Sequence, residues 1–234
     1  MSDDLHGFTP PAGVPDGATR LAGEHVVLEP LEARRHDDDL FAAATDGADP
    51  LLWRYLGYGP FDGDRPGFDR HLREQETSAD PRFYAVTDAA SSRALGVVSY
   101  LRVEPAHGVI EIGHIWFGAA LQRTPAATET VYLLARHAFD VLGHRRLEWK
   151  CDAANARSRC AAERFGFTYE GTFRQHQVVK GANRDTAWFS LLDREWPAAR
   201  AAFTAWLAPE NFDDAGLQRA SLAELRERAF SRGG

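Results

Sequence analysis

The stretch from Gly108 to Phe167 reads GVIEIGHIWFG (108–118), ALQRTPAATET (120–130), VYLLARHAFDVLG (131–143), HRRLEWKCD (144–152) and NARSRCAAERFGF (155–167). Alternation sets Val109, Glu111, Gly113, Ile115 and Phe117 on one face of a strand and Ile110, Ile112, His114 and Trp116 on the other. Val131, Leu134, Ala135, Ala138, Phe139 and Leu142 then recur at the spacing of a helix with one buried face. A second strand places Leu147, Trp149 and Cys151 opposite Arg146, Glu148 and Lys150. Asn155 is positioned to cap a short helix, and Gly166 to end it in the left-handed conformation. The order is β-α-β-α, with the least ordinary chemistry at the two helix entrances.

Outward from this core, EHVVLEPLE (24–32) reads as a first strand and ARRHDDDLFAAAT (33–45) as a helix. The aromatic segment DPLLWRYLGYGPFDG (49–63) reads as a short helix and loop, serving as core or lining a pocket. DRPGFDRHLREQETS (64–78) is helical in pattern, and RFYAVTD (82–88) and RALGVVSYLRVEP (93–105) are strands. Beyond the core, two strands flank a Gly-Ala-Asn turn at 181–183, and a helix starts at Glu195-Trp196. Ser221 and Glu224 stand at capping-box spacing before a last helix. The expected division is a Pro/Gly-rich tail over 1–22, laid on the domain through Leu5 and Phe8, one α/β domain over 23–207, and an extension with a short helix over 208–234.

With 234 residues, 44% of them hydrophobic, one substantial core can form. A net charge of −7 argues against nucleic acid as the main ligand. No apolar run approaches the roughly 20 residues of a membrane span, and the acidic N-terminus lacks a secretory core. A cytoplasmic protein is expected, monomeric or homodimeric through its terminal strand. Cys151 and Cys160 have no disulfide or zinc spacing, and no metal site is expected.

Gln122-Arg-Thr-Pro-Ala-Ala-Thr128 joins strand to helix. Thr124 serves as N-cap and Pro125 as first helical residue, where a missing N–H costs nothing. The amides of Ala126, Ala127 and Thr128 then face outward at the positive dipole end, a place for phosphate, with Gln122 and Arg123 beside it. On these grounds alone, a merely well-capped helix is the favoured reading.

EIGHIWFGAALQRTPAATE resembles motif A of the GNAT superfamily of acyl-CoA N-acyltransferases, and the Thr128-Glu129 pair resembles the RimJ/RimL branch. The resemblance covers about residues 24–197. It implies a mixed, mostly antiparallel sheet that splays between its central strands, flanked by helices. It also implies that acetyl-CoA is the cosubstrate and that Gln122 to Thr128 hold its pyrophosphate. Pro125 departs from the family's first glycine and removes one donor. NARS at 155–158, followed by the AAERFGF run, is similar to the family's N-x-x-S…GF signature. There Asn155 would contact the pantetheine arm and Ser158 would assist the leaving thiolate. The main-chain groups of Ile115, Trp116 and Phe117 would pair with pantetheine.

Amine acetylation needs the attacking nitrogen deprotonated. Glu111 is the first candidate base and His114 the second, on opposite faces if the strand is regular. Cys151 reads as a small buried hydrophobe, so direct transfer in a ternary complex is expected rather than an acyl-cysteine. The acceptor is a protein N-terminus or a small amine, approaching over 48–80 and the 170–185 hairpin. There Arg174, His176 and Lys180 are either a solvated basic strand or a contact for an acidic acceptor. The rival reading is a non-catalytic module that binds coenzyme A or a partner.

Overall fold

The computed structural model describes residues 8–232. In chain order the elements are β1 (Leu21–Ala22), β2 (Val26–Pro30), α1 (Ala33–Thr45), α2 (Arg65–Glu76), β3 (Arg82–Asp88), β4 (Ala94–Glu104), β5 (Val109–Phe117) and α3 (Pro125–Arg136). There follow β6 (Arg146–Asp152), α4 (Ala156–Phe165), β7 (Thr168–Val179), β8 (Ala182–Leu192), α5 (Trp196–Leu207) and α6 (Leu222–Arg232). The strands form one sheet in the order β1-β2-β3-β4-β5-β6-β8-β7. All neighbours are antiparallel except β5 and β6. The implied splayed, mostly antiparallel α/β sheet is what the chain forms.

Two apolar clusters lie on opposite faces of this sheet. Ile110, Ile112, Tyr84 and Val86 pack beneath α3 and α5, whereas Phe83, Ala85, Val97 and Trp116 pack beneath α1 and α2. Strand β3 is buried on both faces, which explains its nearly unbroken apolar run. Leu222 of α6 joins the first cluster, and the Ser221–Glu224 box closes, with the Glu224 amide donating to Ser221 Oγ at 3.2 Å and the Ser221 amide to Glu224 Oε2 at 2.8 Å. Phe8 lies against Gly108, where a Cβ would sit 2.6 Å from its ring; Leu5 is outside the described residues.

Three local readings are corrected. Residues 49–63 form a succession of turns rather than a helix: the amides of Leu52, Arg54 and Leu56 each bond three residues back, and Gly57, Gly59 and Pro60 deny the run helical continuity. The hairpin turn is Lys180-Gly181, both with positive φ (50° and 76°), between paired Val179 and Ala182. That is the two-residue geometry whose twist matches its strands. Helix α3 relaxes into a π turn over His137–Val141, closed by the Leu142 amide on the His137 carbonyl.

Candidate active site

Strand β5 carries the site because it is not regular. Val97 opposes Trp116 and Ser99 opposes Gly113, so two steps on β4 match three on β5. The extra residue is a bulge at His114, whose φ is +50°. The bulge reverses the alternation. Ile110 and Ile112 before it, and Ile115 and Phe117 after it, all face the α3 side, while Trp116 enters the α1/α2 core. Glu111 and His114, expected on opposite faces, therefore share the α1/α2 face.

Pairing of β5 with β6 stops at Ile112 and Trp149, and beyond it the strands diverge into a wedge. The Gly118 amide donates to the Leu95 carbonyl at 2.8 Å, which makes Gly96–Phe117 a non-hydrogen-bonded pair. The amide and carbonyl of Phe117 thus point into the wedge, as do those of Ile115. Trp116 turns its main chain toward β4 and its side chain into the core, so it offers the wedge nothing.

Helix α3 enters from one lip. Thr124 caps it, accepting from the Ala127 amide at 3.3 Å, with Pro125 in the first turn. Arg123 holds φ +61°, and Gln122 donates its Nε2 to the Phe117 carbonyl at 2.7 Å. Gln122 is thereby a brace between turn and strand. Among the described residues, the amides of Arg123, Thr124 and Ala126 find no protein acceptor. Three donors at a positive dipole end suit an anion, and Pro125 has removed only the N–H that the first helical position never uses.

Helix α4 enters from the other lip. Asn155 caps it through the Ser158 amide at 3.1 Å, and its own Nδ2 has no partner among the described residues. Ser158 Oγ accepts the Trp149 indole N–H at 2.9 Å, so its proton is available to a further acceptor. Cys151 is buried, and burial pushes its thiol up against the opposing pull of the Ser158 hydroxyl. Cys160 is exposed. No group of His, Cys, Asp and Glu suited to a metal occurs among the described residues.

On the α1/α2 face, Glu111 is buried, and its Oε2 accepts from Arg102 Nη1 at 2.7 Å and Lys150 Nζ at 2.8 Å. Lys150 also reaches Glu148 at 2.7 Å and lies 3.8 Å from the Trp188 ring centre. Arg146 extends the chain of charges from Glu148 to Glu170. Glu111 Oε1 makes no bond among the described residues and lies toward Gly113, where a Cβ would stand 3.8 Å from it. His114 stacks on Tyr58 (5.8 Å, 5°) and meets Phe83 edge-on (5.2 Å). The aromatic segment therefore serves both expected purposes: Trp53 and Phe61 are core, and Tyr58 walls the site.

Burial, and then Arg102, His71 and Arg184, push the His114 imidazole from its ordinary 6.5 down to about 4. Folding thus holds this ring neutral, and as pH falls the unfolded chain takes up the proton first. The contribution to stability is intact above about 6.5, declines as pH falls from there, and is fully lost below about 4. Integrated, that is of the order of 3 kcal/mol. The urea midpoint of the wild type is expected to drop across this window and that of His114→Gln to drop less; parallel curves would show the ring to be exposed.

An open sheet that parts at its one parallel pair, with capped helices entering from both lips, is the architecture of an acyl-group transferase. Residues 25–168 match the family model described as the acetyltransferase (GNAT) domain, and the chain belongs to this family of acetyltransferases. The crystal structure of a GCN5-related N-acetyltransferase from Brucella melitensis is 49% identical, with TM-score 0.89, covering 95% of this chain and all of that one. The ribosomal-protein-serine acetyltransferase of Escherichia coli is 31% identical over 91 residues, 39% of this chain and 50% of that protein. The chain thus spans about half the length of that curated relative. The microcin C7 self-immunity acetyltransferase MccE, solved with acetyl-CoA and AMP, shares the fold at TM-score 0.63 and 18% identity, over 73% of this chain and 93% of that one. No helix among the described residues is long and apolar enough to cross a membrane.

Proposed function

We propose that the protein moves an acetyl group from acetyl-CoA to a primary amine by direct transfer within a ternary complex in the cytoplasm. The observation that carries this is the two-sided wedge, with free amides and capped helices on one face and a carboxylate oxygen and a neutral imidazole on the other. Acetyl-CoA supplies a thioester whose carbonyl carbon is the electrophile. The amides of Arg123, Thr124 and Ala126 suit its pyrophosphate, with Ala127 and Thr128 forming the floor, and Ile115 and Asn155 offer partners to the pantetheine amides. The Phe117 N–H is the donor for the thioester carbonyl oxygen.

From the opposite face the amine attacks, the C–S bond breaks as the C–N bond forms, and the amine proton passes to a carboxylate. Glu111 fits that task through Oε1, because Oε2 is anchored by Arg102 and Lys150. His114, neutral and adjacent, orients the amine lone pair. Ser158 stabilises the departing thiolate at the start of α4.

A panel of amines with thiol-release detection tests the reading. Glu111→Gln is expected to lower kcat about a hundredfold with little change in acetyl-CoA affinity. Ser158→Ala should cost roughly tenfold, since a thiolate leaves readily without full protonation. Tight acetyl-CoA binding without turnover on any amine would favour the non-catalytic module instead.

A further inference from the structure

The protein is acidic overall, yet two cations at the mouth of the acceptor face have no carboxylate partner among the described residues. Arg184, on β8, stands just above the last paired position of β6, where Asp152 meets Thr186. Strand alternation sets Arg184 on the same face of β8 as Thr186 and Trp188, and the Trp188 ring meets Lys150 Nζ at 3.8 Å, so Arg184 lies on the acceptor face at the open end of β6. Its Nε is buried and has no hydrogen-bond partner, and the side chain forms no ion pair among the described residues. Lys180, at the tip of the same hairpin, donates to the Trp53 carbonyl at 2.8 Å and likewise has no carboxylate partner. Arg102 and Lys150 are matched by Glu111 and Glu148, and Arg157 by Asp49.

A buried donor left without an acceptor costs free energy, and a planar guanidinium is the side chain best shaped for a carboxylate. The nearby acids do not supply one. Asp185 is taken by the Gln175 amide and Asn183, and Asp152 by the Ala154 amide. Tyr58 stacks on His114 and Trp188 lies over Lys150, both on this face, and among the described residues the buried Trp188 Nε1 also lacks an acceptor.

We propose that Arg184, assisted by Lys180, selects acceptors that carry a carboxylate close to the reacting amine. This rests on the acceptor lying on the α1/α2 face, as argued above. The chemistry is shared by a free amino acid, through its α-carboxylate, and by a peptide that begins with Asp or Glu. Arg184 is a specificity-determining residue here, and the proton still leaves through Glu111.

Matched pairs test this: an amino acid against its carboxamide, and tripeptides beginning with Asp or Glu against Asn or Gln. For the wild type, kcat/KM is expected to favour the carboxylate member at least tenfold, chiefly through KM. Preference in the first pair alone identifies free amino acids, and in the second alone, peptide N-termini. Arg184→Gln should abolish the preference while leaving acetyl-CoA affinity unchanged by calorimetry, and Arg184→Lys should restore part of it. A second measurement does not depend on turnover: binding of N-acetylated amino acids to the protein with coenzyme A present. That binding should be lost in Arg184→Gln and kept in Glu111→Gln. Equal rates within both pairs, or no difference in product binding between wild type and Arg184→Gln, would overturn the assignment. A parallel fall in acetyl-CoA affinity in Arg184→Gln would also overturn it, by giving Arg184 to the cosubstrate. If no amine is acetylated but the N-acetylated amino acids bind through Arg184, transfer fails and the carboxylate assignment stands.

Discussion

Ala127→Glu is expected to abolish acetyl-CoA binding, by the order of a thousandfold or more, while leaving the protein as stable as before or slightly more so. The opposite signs follow from one position. Ala127 is the third residue of α3, with Thr124 as N-cap and its own amide bonded to Thr124 Oγ1. A glutamate at that place completes a capping box, its carboxylate reaching back to the Thr124 amide. The helix gains a few tenths to about 1 kcal/mol. The same carboxylate occupies one of the three free amides and sets a negative charge where the pyrophosphate would lie. Like-charge juxtaposition in a desolvated contact costs several kcal/mol. Titration calorimetry with acetyl-CoA and a thermal melt read the two effects separately. Affinity retained within tenfold would place the cosubstrate elsewhere than on this turn. Lost affinity with a melting point several degrees lower would show only that the helix had been damaged.

Much of this site is legible in the chain because caps are local. Thr124-Pro125 and Asn155-x-x-Ser158 declare two helix entrances from three or four residues each, and both entrances form as read. The parting of β5 from β6 was implied by the family resemblance alone, since register beyond Ile112–Trp149 is decided by what the helices on either lip require. The bulge was less accessible still. GVIEIGHIWF alternates without fault, and nothing in it marks His114 for a positive φ. The extra residue is visible only when β4 is laid alongside, because Val97 and Ser99 fix the partner positions. One inserted residue moves every later side chain to the other face. That single event sets Glu111 and His114 on one face and sends Trp116 into the core. Arg184 was missed for a similar reason. In NRDTAWF it is one charge among several, and only the antiparallel pairing of β8 with β6 carries it to the wedge.

The residue whose loss should cost the fold most is one that did not stand out for stability, Glu129. Its buried carboxylate accepts the amides of Glu24 (2.8 Å), His25 (2.7 Å) and Val26 (2.9 Å), more than a hundred residues away in sequence. It binds α3 to the start of β2, and Gly23 has no Cβ because one would lie 2.3 Å from that carboxylate. Removing it leaves three amides without acceptors in a region from which water is largely excluded. At 1–3 kcal/mol for each unmet donor, partly relieved by relaxation, Glu129→Ala should lose about 4 kcal/mol. For a chain of this length that is a fall of about 10 °C in melting temperature. Glu129→Gln keeps one acceptor oxygen but turns an NH2 toward a donor, so an intermediate loss is expected. Calorimetric melts of the two variants against the wild type decide the matter. A drop of less than about 3 °C for the alanine variant would mean that water replaces the carboxylate, and that β2 is held by its pairing with β3 alone.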